Sequence, residues 1–139
     1  MACVIIKAGG NDGQGFNLSA EQRKAIEDYS MEKAVEYFKS QDYEFIADRF
    51  KKYSFDLEFK KLGMTYFVEV KRTQSKGDKV IVTRSEVEHT KAHCDISILY
   101  VLHSIIIYDL LPSGGVQPIK NPWIIDDENL QVIIYHYTV

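Results

Sequence analysis

A chain of 139 residues with 17 basic and 20 acidic side chains, 45% apolar and 12% aromatic, suits one domain with one core and is too short for two. Ordinary apolar content, eight Gly and three Pro exclude a disordered or collagen-like chain. Two cysteines, Cys3 and Cys94, cannot build a disulfide framework, so a reducing, cytoplasmic setting is expected. The start, MACVIIKAGG, lacks the basic region of a secretory signal. The longest apolar stretch, Ile96 to Leu111, is broken by Ser97, His103, Ser104 and Asp109. It falls short of a membrane span, so no membrane partner is expected.

The net charge of −3 argues against a protein that coats nucleic acid. It hides an asymmetry. Residues 1–48 carry 5 basic and 9 acidic side chains, residues 49–91 carry 11 and 6, and residues 92–139 carry 1 and 5. A basic middle in an acidic chain is compatible with one local anion-binding face.

In chain order, residues 1–17 hold a short apolar run and then GGNDGQG, which reads as a flexible lead or an extra strand before a single domain over 18–139. Ser19 to Gln22 forms a capping box, opening a helix that runs to about Ser40. Its apolar stripe takes in Met31, Ala34, Val35 and Phe38, and one turn back it lands on Glu27. Tyr43 to Ile46 suggests a short strand. Phe55 to Lys60 alternates strictly, Lys61-Leu62-Gly63 is a turn, and Met64 to Lys71 alternates again: a β-hairpin. After a polar loop, Val80 to Val82 suggests a short strand. Thr83 to Glu86 is a second capping box, opening a helix to about His93. Ile96 to Leu111 reads as two strands with a break near His103 and Ser104. Strand, helix, strand implies a parallel crossover. Leu130 to Val139 reads as a last strand.

Period two places Glu69 and Lys71 on one face of the second hairpin strand. The hairpin can bring Asp56 beside them, since antiparallel neighbours lie about 5 Å apart. Two carboxylates and a lysine on one face are costly to bury without purpose. They are the ligands that a hard divalent cation accepts, together with a cation able to orient water or stabilise charge on phosphorus. The bland alternative is a solvated strand face with a surface ion pair. Glu27, in line with the helix stripe, either reaches solvent at the stripe's edge or points into the polar site. His89 and His93 are spaced i, i+4 beside Cys94, but no fourth ligand accompanies them, so a solvent-facing helix is expected rather than a zinc site. Glu86 is explained by the capping box.

The run Ser54-Phe-Asp56-Leu-Glu-Phe, twelve intervening residues, and Phe67-Val-Glu69-Val-Lys71 resemble the D…E-x-K core of the PD-(D/E)XK nuclease superfamily. More narrowly, Ala25-Ile26-Glu27, Phe55-Asp56-Leu57, Val68 to Lys71, Val82-Thr83 with Glu86, Leu99-Tyr100-Val101 and Ile119 to Pro122 resemble the NO VEIN-type C-terminal domain, a family of poorly defined function placed among these nucleases. The resemblance covers about residues 20–125. It departs at Ser54-Phe55, where a Gly and an aromatic would precede the aspartate.

The resemblance implies an α/β, restriction-endonuclease-like core: a mixed central β-sheet flanked by helices. It implies hydrolysis of DNA phosphodiesters with Mg²⁺ or Mn²⁺ held by Asp56, Glu69 and the backbone carbonyl of Val70. Lys71 would be the catalytic lysine and Glu27 the extra acid of the first helix. Apart from the resemblance, the basic side chains of the middle segment, Lys60, Arg72, Lys76 and Arg84 among them, are candidates to contact phosphates around the site, the alternative being ordinary solubility. DNA is the expected partner, with a partner protein for targeting; the oligomeric state, a dimer included, is left open. The rival reading is a non-catalytic nucleic-acid or protein-binding module that keeps the fold.

Overall fold

The computed structural model describes residues 17–50, 53–72, 76–134 and 136–139, so the expected lead, up to residue 16, lies outside the described residues. Helix α1 (Ala20–Ser40) begins on the expected capping box. The Ser19 hydroxyl accepts the Gln22 N–H at 3.0 Å, and the Gln22 side chain accepts the Ser19 N–H at 3.0 Å. Its buried line is Ile26, Ser30, Ala34 and Phe38. Met31 and Val35 flank that line, half-buried against the core.

Strand β1 (Glu44–Asp48) leads to the hairpin of β2 (Leu57–Lys61) and β3 (Met64–Arg72). Leu62 and Gly63 turn it with φ of 50° and 80°. That left-handed pair matches the twist of a tight hairpin, and glycine takes it without strain. Helix α2 (Arg84–Ala92) crosses over to β4 (Ser97–Tyr108), followed by β5 (Leu111–Val116), β6 (Ile119–Lys120) and a 3₁₀ turn at Asp127–Asn129.

The six strands form one mixed sheet in the order β1-β2-β3-β4-β5, with β6 also on β4. All pairs are antiparallel except β3 with β4, the parallel pair implied by the crossover. The architecture is thus the expected α/β mixed sheet with helices. Val68 and Val70 of β3, with Ile98, Tyr100 and Leu102 of β4, face α1 and pack with Ile26, Ala34 and Phe38. Glu69 and Lys71 alternate to the other face, and so do Leu99 and Val101, which pack with Val80 and Trp123. The parallel pair is therefore covered on both faces, as parallel strands require.

Three expectations are corrected. Val80 to Val82 forms no strand; the Val80 side chain packs on β4 without its backbone joining a ladder. The run 97–108 is one strand, and the expected break appears as Ser104 at φ 58° within it. Residues 130–134 and 136–139 form no strand. That tail joins none of the ladders of the sheet.

Candidate functional site

Asp56 stands at the mouth of β2. Its N–H donates to the Val68 carbonyl at 3.0 Å, and its own carbonyl accepts the Arg49 N–H at 2.7 Å. With its backbone fixed on both sides, its carboxylate turns to β3 and accepts the Val70 N–H through Oδ2 at 2.8 Å. There its charge lies close enough to the Glu69 carboxyl to raise that group's hold on a proton. Lys71, two residues on, brings Nζ to 3.4 Å from Glu69 Oε1. The structure therefore unites Asp56, Glu69 and Lys71. All three are buried, with Asp56 and Lys71 at 0% exposure and Glu69 at 3%.

Burial sets the electrostatics. The Glu69 carboxyl is pushed up to about 11, first by loss of water and next by the Asp56 charge, with Lys71 opposing both. Without a further cation the carboxyl pair holds a proton. Glu86, from the first turn of α2, joins the group: its Oε1 lies 3.0 Å from Lys71 Nζ and accepts the Thr83 N–H at 2.9 Å. Burial alone would push the Glu86 carboxyl up. The Lys71 charge and the Thr83 N–H outweigh it and hold the group below the usual carboxylate range. Sequence reasoning gave Glu86 only its cap. The signals for more were its place three residues into a helix that follows the acid-bearing strand and its inclusion, with Val82-Thr83, among the residues that carry the family resemblance.

An aromatic wall borders the acids. Phe55 stacks on His89 at 5.0 Å, and His89 on His93 at 4.4 Å, with Phe67 edge-on to both imidazoles. The two histidines are thus half-buried packing groups, not the solvent-facing pair expected. Burial, then the neighbouring His93, lowers the pKa of His89.

Glu27 is placed elsewhere. Its carboxylate accepts from Arg72 Nη2 at 3.2 Å and from Lys24 Nζ at 3.1 Å. Arg72 follows Lys71 on β3, so it points to the α1 face, and the sheet lies between Glu27 and the acid pair. The expectation that Glu27 joins the acid cluster is corrected on that geometry. Arg72 itself is 4% exposed and ion-paired, so it does not present a guanidinium to surface phosphate as expected. Lys60, Lys76 and Arg84 are exposed, and Arg84 pairs with Glu88 at 2.9 Å.

Among the described residues, no three His, Cys, Asp or Glu side chains converge as a ready metal centre. The donor set still fits a hard divalent cation of the kind that keeps most of its own waters: two adjacent carboxyl groups, one of which ionises only against its surroundings. Such a cation would take the place of the proton.

Compared with known proteins, residues 26–106 match the family model described as Protein NO VEIN, C-terminal. That span runs from α1 into β4 and contains Glu27, Asp56, Glu69, Lys71 and Glu86. No curated protein matches, and no solved structure matches. No described helix is long and apolar enough to cross a membrane.

Proposed function

The chain belongs to the NO VEIN C-terminal family, and from that premise we propose that it is a metal-dependent nuclease of the PD-(D/E)XK kind that hydrolyses phosphodiester bonds of DNA. One observation carries the reading: the Asp56 and Glu69 carboxyl groups lie together beside Lys71, all three buried on one face of the β2–β3 hairpin. A fold gains nothing in stability from a buried acid pair that must hold a proton, since apolar residues of the same size serve it as well or better.

Asp56 and Glu69, with the Val70 carbonyl, would hold Mg²⁺ or Mn²⁺. Such an ion supplies charge neutralisation and an acidified water. Lys71 carries three N–H donors on a stem fixed in the sheet. It orients the attacking water and stabilises charge that grows on a phosphate oxygen. Lys60, Lys76 and Arg84 offer exposed cations to the flanking phosphates. A separate partner protein would supply targeting, and the setting is cytoplasmic.

The rival, a non-catalytic binding module that keeps the fold, draws support from the complete burial of Lys71. Cleavage of plasmid and oligonucleotide DNA separates the two. The expected result is nicking or degradation with Mg²⁺ or Mn²⁺, stopped by chelator. Asp56→Asn and Glu69→Gln should lose it while keeping the wild-type circular dichroism. Cleavage that survives chelation overturns the proposal. DNA binding without cleavage, whatever the metal, establishes the rival.

A further inference from the structure

Both helices begin with the same device. At α1 the Ser19 hydroxyl accepts the Gln22 N–H, and the Gln22 amide oxygen accepts the Ser19 N–H. At α2 the Thr83 hydroxyl accepts the Glu86 N–H at 3.2 Å, and the Glu86 carboxylate accepts the Thr83 N–H at 2.9 Å. The motif needs only an acceptor oxygen at its third position, and Gln22 shows that a neutral amide serves this fold. Yet α2 uses a carboxylate and buries it to 1% exposure, where a charge costs far more than an amide. The cap does not account for that charge.

Lys71 does. The same Oε1 that takes the Thr83 N–H lies 3.0 Å from Lys71 Nζ, closer than the 3.4 Å to Glu69. The cap locks that oxygen against the backbone, and the locked oxygen fixes the end of a long, flexible stem. We infer that Glu86 is the positioning residue for Lys71, holding its ammonium beside Glu69 as a fixed hydrogen-bond donor. The capping box of α2 thereby becomes part of the site. This inference rests on the nuclease reading for its effect on rate, but not for its effect on the lysine.

Glu86→Gln separates the roles, because Gln keeps the cap and removes the charge. The full chain is used throughout, with lysine labelled with ¹⁵N at the side chain. The Lys71 ammonium resonance is assigned by its loss in Lys71→Met. In Glu86→Gln the cap survives while the buried Lys71 ammonium loses its nearest carboxylate, so the melting temperature should fall, and adding Lys71→Met should restore it. The Lys71 resonance should shift or broaden. With Mn²⁺ and an oligonucleotide duplex, kcat should fall about tenfold to a hundredfold, the size expected of a misplaced group, while KM holds. An unmoved resonance together with wild-type kcat overturns the inference. Should the wild type fail to cleave, the nuclease reading falls and the resonance alone decides this one. Should Glu86→Gln fail to fold, the Glu86→Gln, Lys71→Met double variant should recover folding, because the carboxylate is then needed only for the lysine. A double variant that stays unfolded assigns Glu86 to the cap and overturns the inference.

Discussion

Burial acts strongly on Glu69. Its carboxyl is raised from 4.5 to about 11, so it is protonated in the metal-free fold and ionised in the unfolded chain over most of that interval. A group raised on folding gives its full stabilisation below its unfolded pKa and loses it as pH climbs toward its folded one. Thermal melts in chelator from pH 5 to pH 9 should therefore show wild type losing ground to Glu69→Gln as pH rises, with the gap closing toward pH 5. Parallel curves would refute this. Glu27 has the opposite character. Glu27→Ala leaves the buried Arg72 without that partner and should cost about 1–3 kcal/mol in urea denaturation. Its cleavage rate, measured where the variant is folded, should stay near wild type, and the exposed Glu32→Ala should change neither. Asp56, Glu69 and Lys71 were legible in the sequence because alternation in a hairpin is strict. Glu27 was not, because the helix buries the Ile26–Ser30–Ala34–Phe38 line and leaves Glu27–Met31–Val35 on its flank. Arg72 was misjudged although alternation itself sends it to the face opposite Lys71. Glu86 was hidden because the capping box already explained it.

At the scale of elements, the sequence revealed what local chemistry dictates. Both capping boxes, both helices and the hairpin stand where side-chain patterns put them. What it missed depends on distant partners. β5 is Leu-Pro-Ser-Gly-Gly-Val, with no periodicity of its own, and becomes a strand only because β4 runs past it. Conversely, the described residues of the alternating tail from Leu130 have strand character but join no ladder. The two glycines of β5 differ in a testable way. Gly114, at φ 65°, faces open space, so Gly114→Ala should cost only the left-handed penalty, about 1–2 kcal/mol. Gly115, at φ 109°, would also drive a Cβ to 2.8 Å from Leu102 Cδ1 and 3.4 Å from the His103 carbonyl. Gly115→Ala should therefore be the more destabilising of the two in denaturant melts. The reverse order would mean that this edge of the sheet is free to relax.

Across the whole molecule, the sheet separates two jobs. The α1 face holds the larger apolar cluster and the Glu27–Arg72 tie, while the α2 face holds the acids, Lys71 and the aromatic wall. Among the described residues the basic middle of the sequence is divided: Lys71 and Arg72 are buried, and Arg49, Arg84 and Lys91 pair with Glu58, Glu88 and Asp127. Lys60, Lys76 and Lys79 remain exposed among the described residues, so any hold on DNA should be modest and strongly salt-dependent. The acid pair sits where β2 meets β3, and β3 with β4 is the parallel centre of the sheet. A cation bound there would tie its free energy to the folding of the entire domain. A ligand that binds only the native state stabilises it by about 2.7 kcal/mol at a hundred times its Kd. For a domain of this size that is a rise of several degrees in Tm. Mg²⁺, Mn²⁺ and Ca²⁺ should each raise the melting temperature at pH 8, where the displaced proton is held weakly relative to bulk, and less at pH 5. The shift should vanish in Asp56→Asn and Glu69→Gln and persist in Glu27→Ala, whose carboxylate lies across the sheet. Ca²⁺ should give the shift without cleavage, since its looser coordination activates water poorly. A metal-induced shift that survives in both Asp56→Asn and Glu69→Gln would place the cation elsewhere and leave the buried acids a structural pair.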